Sequence, residues 1–455
     1  MRLWDKNKHT EKEVLQFTVG DDPAFDRLLA PYDVMGSMAH AIMLGETGII
    51  PAGEAGLLVK TLAGYYPVVA AGDFRLSDED EDIHSHLENY LVKKVGDPGK
   101  KIHTARSRND QVLMALQLMM KEEYRLVIGD VKKLFNTLTA VAERYREVLI
   151  PGYTHTQIAM PSSIGIWLGS YAESLVTDLQ VSTGIIRSID QNPLGSAAGY
   201  GSSFPVDRDL TTKLAGFSDL LVSAASAQLM RGKLESLMTF GLATFAQTLS
   251  RLAADMIFFM NQNMGVISFP EELTTGSSIM PHKRNPDVLE LIRAHCNTVV
   301  QMPAMLNSLS ANLVSGYHRD FQLTKEILVP AIRKIRNCLS MTSLMVGAMV
   351  PEKALLSDEK YSLIFSVEEV NRKVQAGKPF RDAYREVAEE IRQGTYRPSG
   401  NTTYTHTGSI GNPGIERISQ KMESLSDQLD IRSADEIFNE LKNYYTDEAG
   451  GSRSE

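Results

Sequence analysis

The densest run of chemically useful side chains in this 455-residue chain is Gly276-Ser277-Ser278-Ile279-Met280-Pro281-His282-Lys283-Arg284-Asn285-Pro286-Asp287. A glycine-led loop here delivers serine and cations to the start of a helix, with Asn285 and Pro286 suited to the cap and the first helical position. Free backbone N–H groups and the positive helix end then face the loop, which favours a bound anion. The same residue types also punctuate ordinary solvated loops, and spacing alone does not separate the two.

Four other segments carry donors or titratable groups. Pro151-Gly152-Tyr153-Thr154-His155-Thr156-Gln157 is a turn with one histidine between two hydroxyl residues. Histidine titrates near neutral pH and can give or take a proton, although a lone histidine also serves as a cap or a packing group. His103-Thr104-Ala105-Arg106-Ser107-Arg108-Asn109-Asp110-Gln111 precedes a long helical pattern. Its two arginines flanking serine and asparagine could hold a dicarboxylate by charge-assisted hydrogen bonds, and a helix cap with solvated arginines uses the same residues. Asp80-Glu81-Asp82-Ile83-His84-Ser85 by itself is a helix start. Ser315-Gly316-Tyr317-His318-Arg319-Asp320-Phe321-Gln322-Leu323-Thr324-Lys325 is a loop entering a helix, with Lys325 able to snorkel into water.

Taken together these segments resemble known enzymes. The Gly276–Asp287 loop is similar to the signature of the fumarase/aspartase superfamily, whose members eliminate fumarate from a succinyl group. The Pro151, His103 and Ser315 segments are similar to the argininosuccinate lyase form of that superfamily. The resemblance implies that Ser277, as alkoxide, removes a proton from the carbon beside a carboxylate, while Lys283, Asn285 and loop amides stabilise the doubly negative intermediate. It implies that His155 protonates the departing guanidinium nitrogen, and that Glu290, one turn into the next helix, orients His155 and raises its basicity. His84 would approach the succinyl carboxylates, and Ser107, Arg108, Asn109, Thr154, Tyr317, Gln322 and Lys325 would contact substrate. The reaction implied needs no metal or cofactor, takes argininosuccinate to arginine and fumarate, and uses a homotetramer in which loops of three subunits meet.

The match departs from the family pattern in three places. Trp4 is followed by Asp5-Lys6-Asn7-Lys8 instead of Gly-Gly-Arg-Phe. The serine that touches the amino-acid end of the substrate has no counterpart around Phe17 to Asp22, and Met230-Arg231-Gly232-Lys233 replaces a Glu-Arg-Asp stretch, so Arg231 receives no role. Two alternatives remain: another fumarate-releasing lyase, such as an adenylosuccinate lyase or an aspartase, and a non-catalytic, crystallin-like helical protein. The intact set of Ser277, His155, Lys283 and Glu290 argues against the second.

Helices must position these segments. Apolar residues recur at three- and four-residue steps nearly throughout, and the alternating β-branched runs of strands are scarce, which predicts an all-α fold. The clearest stripe is Leu234, Met238, Gly241, Phe245, Leu249, Leu252, Met256 and Phe259. Comparable stretches run over 110–148, 162–189, 287–312 and 325–350, and helices this long pack side by side as a bundle. Breaks at Gly96-Asp97-Pro98-Gly99, Pro151-Gly152, 192–205 and 274–286 hold most of the informative residues. The expected organisation is an N-terminal helical domain (1–105), a central long-helix bundle (106–350) and a small C-terminal helical domain (351–455).

Composition narrows the setting. A net charge of -9 argues against a general nucleic-acid or anionic-membrane surface and leaves room for a small enclosed carboxylate site. Cys296 and Cys338 lie in apolar helical contexts without metal-finger spacing, as buried reduced thiols would. The charged N-terminal residues lack a secretory apolar stretch and the most apolar short run, 344–350, is far too short to span a bilayer, so a cytoplasmic location is expected.

Overall fold

The computed structural model describes residues 12–76, 80, 82–398 and 404–447. The divergent residues Trp4 to Lys8, Glu81 and the polar tail 450–455 lie outside them. In the N-terminal part, α1 (Lys12–Val19) turns at Gly20 into α2 (Asp22–Glu46), followed by α3 (Ala52–Ala70) and α4 (Ile83–Val95). α2 and α3 pack against each other around buried Val34, Met38, Ile42, Leu58 and Leu62.

The centre is a bundle of five long helices. α5 (Arg108–Arg144) leads into a hairpin of β1 (Leu149–Thr154) and β2 (Gln157–Ser163), then come α6 (Ile164–Ile189), α7 (Lys233–Phe259), α8 (Asp287–Ser310) and α9 (Thr324–Ala348). These bounds agree with the apolar periodicity to within a few residues. α7 touches α6, α8 and α9, and α5 closes the ring against α6 and α9. The α7 stripe drives this placement, since Leu234, Met238, Phe245, Leu249, Leu252, Met256 and Phe259 are all buried, each worth roughly 1.5–3 kcal/mol against exposure. Gly241 interrupts the stripe for a steric reason: a Cβ there would run into the Tyr124 hydroxyl and Ile185, so its absence lets α7 approach α5 and α6.

The carboxy-terminal segments divide their contacts. α10 (Ser366–Gln375) and α11 (Phe380–Arg392) share a small core of Val370, Ala383, Val387 and Tyr396. α12 (Ile415–Glu423) joins the bundle core through Ile415, Ile418 and Met422, whereas α13 (Ala434–Asp447) packs Ile437 and Leu441 into the N-terminal core. Cys296 and Cys338 are free and buried. Among the described residues no helix is long and apolar enough to cross a membrane.

The Pro151–Gln157 segment is the main local surprise. It is not simply a turn, because Leu149 to Thr154 pairs antiparallel with Gln157 to Ser163, with a register shift between Pro151 and Tyr153. Only His155 and Thr156 form the connection, and both have positive φ, 54° and 60°. Two-residue hairpin turns of this kind demand left-handed backbone at both central positions and usually use Asn-Gly. A histidine followed by a β-branched threonine is strained there, and such strain concentrates at functional positions.

Candidate active site

A cavity of about 230 Å³ opens where the N-termini of four helices converge. His84 and Asp82 come from the start of α4, Arg108 and Asn109 from the start of α5, Asp22 and Asp26 from α2, and Tyr317, Arg319, Phe321, Gln322, Thr324 and Lys325 from the entry to α9. Six of the expected substrate contacts, His84, Arg108, Asn109, Tyr317, Gln322 and Lys325, therefore line one space.

Capping chemistry fixes two of these helix starts. Asp82 caps α4 by accepting from the Ser85 amide at 2.8 Å. Ser107 caps α5, accepting from the Asn109 amide at 3.2 Å while its own N–H donates to Asp110 at 2.9 Å. Asp110 is fully buried and also accepts from the amides of Gly195 and Ala197, pinning the start of α5 to that loop; burial pushes its carboxyl up to about 6.

The cavity carries both signs of charge. Burial alone would lower the His84 pKa, but the Asp33 carboxylate 3.0 Å from Nδ1, backed by Asp82 and Asp26, outweighs it and holds the imidazole above its usual value. Lys325 does not snorkel into water; it is buried with Nζ 2.6 Å from Asp22 and 3.5 Å from Asp26. Burial raises both of these carboxyls, partly offset by Lys325. Gln322 donates to the carbonyls of Thr18 and Val19 at 3.1 and 3.0 Å, tying the α1–α2 turn to the α9 entry.

The residues expected to perform the chemistry lie elsewhere in the chain. None of Thr154, His155, Ser277, Lys283, Asn285 and Glu290 lines this cavity. Thr154 and His155 are exposed at the hairpin tip. Ser277 sits in a loop closed at its neck by two backbone hydrogen bonds between Thr275 and Asn285, at 3.2 and 2.8 Å. Its Oγ accepts from the amides of Ile279 and Met280 at 3.4 and 3.2 Å. Asn285 does not cap α8 as its position suggests. Pro286 takes the cap position, and the Asn285 side-chain Nδ2 turns back to donate to Gly276 O at 3.3 Å. Lys283 and Glu290 are exposed, and among the described residues no bond joins Glu290 to His155.

Comparison with known proteins places this architecture. The profile of a family described as Lyase matches residues 7–301. The chain is 49% identical to the argininosuccinate lyase of Parabacteroides distasonis over 93% of its length and 95% of the relative's. Identity is 47% to that of Bacteroides thetaiotaomicron, over 94% and 96%, and 41% to that of Thermotoga neapolitana, over 86% and 98%. The chain belongs to the argininosuccinate lyase family.

Solved structures agree on the fold. An EDDS lyase bound to formate superposes with a TM-score of 0.73 at 23% identity, covering 97% of this chain and 95% of that one. A class II fumarase from Schistosoma mansoni gives 0.66 at 16% identity, over 84% and 91%. Of the divergent stretch between Phe17 and Asp22, Thr18, Val19 and Asp22 line the cavity. Sequence reasoning passed over Asp26 and Arg319 as cavity residues, and it gave Arg231 no role because the residues around it depart from the family stretch. An acidic residue near a helix start looks like a dipole partner, so Asp26 carried no recognisable signal.

Proposed function

We propose that this protein is an argininosuccinate lyase, eliminating fumarate from argininosuccinate to release arginine, in the setting of cytoplasmic arginine biosynthesis. The observation that carries the proposal beyond family membership is the division of labour within one chain. A cavity gathers six of the expected substrate contacts, while the serine loop and the histidine hairpin take no part in its lining.

In this account the active enzyme is a homotetramer, and each site combines the cavity of one copy with the serine loop and the histidine tip of two others. Its support is twofold. The chemistry-bearing loops are exposed in one chain, and the bundle helices present apolar side chains outward, including Phe240, Leu291, Met305 and Leu344, each 47–59% exposed. Such faces mark protein–protein contact.

Ser277 acts as the base. A neutral hydroxyl is a poor one, and the two backbone amides already donating to Ser277 Oγ favour its ionised form, helped by Lys283. The alkoxide takes the proton from the carbon beside the succinyl carboxylate, and that electron pair delocalises into the carboxylate. Lys283, Asn285 and loop amides balance the added charge. The electron pair then forms the new double bond as the carbon–nitrogen bond breaks, and His155, oriented by Glu290 of another copy, supplies the proton that leaves with arginine. His84, Ser107, Arg108 and Asn109 hold the succinyl end; Thr154, Tyr317, Gln322 and Lys325 complete the contacts.

Fumarate absorbs in the ultraviolet, so a substrate screen tests the assignment directly. Absorbance should rise with argininosuccinate and stay flat with adenylosuccinate, aspartate and malate. Release from one of those three instead would transfer the protein to a sister activity, and inertness with all four would leave a non-catalytic helical protein.

A further inference from the structure

Arg231 is the most unusual side chain of the cavity. It stands just before α7, is 6% exposed and lines the cavity, yet two of its three guanidinium nitrogens are unsatisfied. Nε and Nη1 are both buried without a partner. A buried, unpaired cation is costly, and burial alone pulls its pKa below the ordinary guanidinium value. Glu235 and Asp22 supply negative field, but neither forms an ion pair with it. The guanidinium lies over two rings, 4.9 Å from the Tyr317 centroid and 5.3 Å from that of Phe321. Those rings fix its plane and leave its edge as the part able to bind.

The other donors at this end of the cavity are already engaged. Lys325 pairs with Asp22 and Asp26, Gln322 gives both of its bonds to the Thr18 and Val19 carbonyls, and Arg319 donates to Thr18 O at 3.3 Å. A planar guanidinium held against two rings, with unsatisfied donors, is matched to a carboxylate in bidentate geometry. The succinyl carboxylates belong to a different wall, formed by the first turns of α4 and α5 around His84, Arg108 and Asn109.

We propose that Arg231 is the specificity-determining receptor for the α-carboxylate of the amino-acid end of the substrate. The assignment rests on the lyase activity proposed above and adds what that activity leaves open, namely which group tells an amino acid from the corresponding bare guanidino-amine. Asp22 stands beside it with a negative charge suited to the adjoining ammonium group.

The test runs the reaction backwards with fumarate and either arginine or agmatine, which is arginine without its carboxylate. The wild-type enzyme should favour arginine by at least about tenfold in kcat/KM, the scale of a lost charge-assisted hydrogen bond. Arg231→Met should bring the arginine-to-agmatine ratio close to one, mainly through KM for arginine, and Arg231→Lys should give an intermediate ratio. An unchanged ratio in Arg231→Met, with both amines slowed alike, would reduce Arg231 to a structural role and overturn the assignment. Should the methionine variant fail to fold, an unchanged ratio in Arg231→Lys would overturn it equally. Absence of any turnover of arginine by the wild-type protein would instead strike the lyase activity itself.

Discussion

The cavity at the helix starts and the two loops carrying Ser277 and His155 are built on opposite plans. Around the cavity nearly every polar group is capped, paired or buried: Ser107 and Asp82 cap helices, Asp33 holds His84, and Asp22 and Asp26 hold Lys325. At the loops the reactive side chains are half-buried or exposed, and the turn beneath His155 is strained. In the assembly proposed above, substrate recognition is pre-assembled within one chain, whereas proton transfer depends on groups that acquire their surroundings from other copies. On that proposal, strain and exposure are tolerable at the tips because partner copies, and not the chain's own core, complete them.

Four substitutions would sharpen or break that contrast. Ser277→Ala should lower kcat by about 10³-fold or more while leaving circular dichroism and assembly mass intact, since its side chain supports no core packing. A variant that stayed within tenfold of wild type would remove the base from the mechanism. His155→Asn comes next, with a kcat loss of about 10²-fold and a melting temperature close to wild type, because the tip is exposed. Strong destabilisation there would mean that the hairpin is structural.

On the cavity side the expected losses fall on binding. His84 has a raised folded pKa, so its positive charge is retained through the ordinary imidazole value and lost as pH rises through the folded one. KM for argininosuccinate should therefore be low on the acidic side and climb with pH, and His84→Asn should flatten that limb and raise KM about tenfold at pH 7. A pH-independent KM in the wild-type enzyme would contradict it. The smallest effect belongs to Ser107→Ala, where loss of the α5 cap should cost about 1 kcal/mol in denaturant titrations and raise KM severalfold with kcat nearly constant.

Much of this division was legible before any coordinates. Helix spans followed from the 3.6-residue period because each long helix buries a continuous stripe, and Ser107 followed by Asp110 marks a helix start by its spacing alone. The residues of the serine loop were recognisable by type, yet the orientation of the Asn285 side chain was not, since its oxygen could cap α8 or its Nδ2 could close the loop neck. The hairpin escaped notice because Pro151 and Pro161 interrupt strand patterning and His-Thr replaces the usual turn residues. The roles of Asp22 and Arg231 were not legible for another reason: they come from meeting Tyr317, Phe321 and Lys325 across long sequence separations, which local pattern does not encode. The return of α13 to the N-terminal core is likewise a matter of distant packing.

Sharing of the site between copies is the central claim, and mixing tests it most directly. Ser277→Ala and His155→Asn proteins, each inactive alone, should be co-expressed under different affinity tags and the doubly tagged assemblies isolated. Sites that draw their serine from one variant and their histidine from the other are then intact, and a measurable fraction of wild-type turnover should return. Mixed assemblies of native mass that remain as impaired as either parent would show that serine and histidine come from the same copy, contrary to the sharing proposed here.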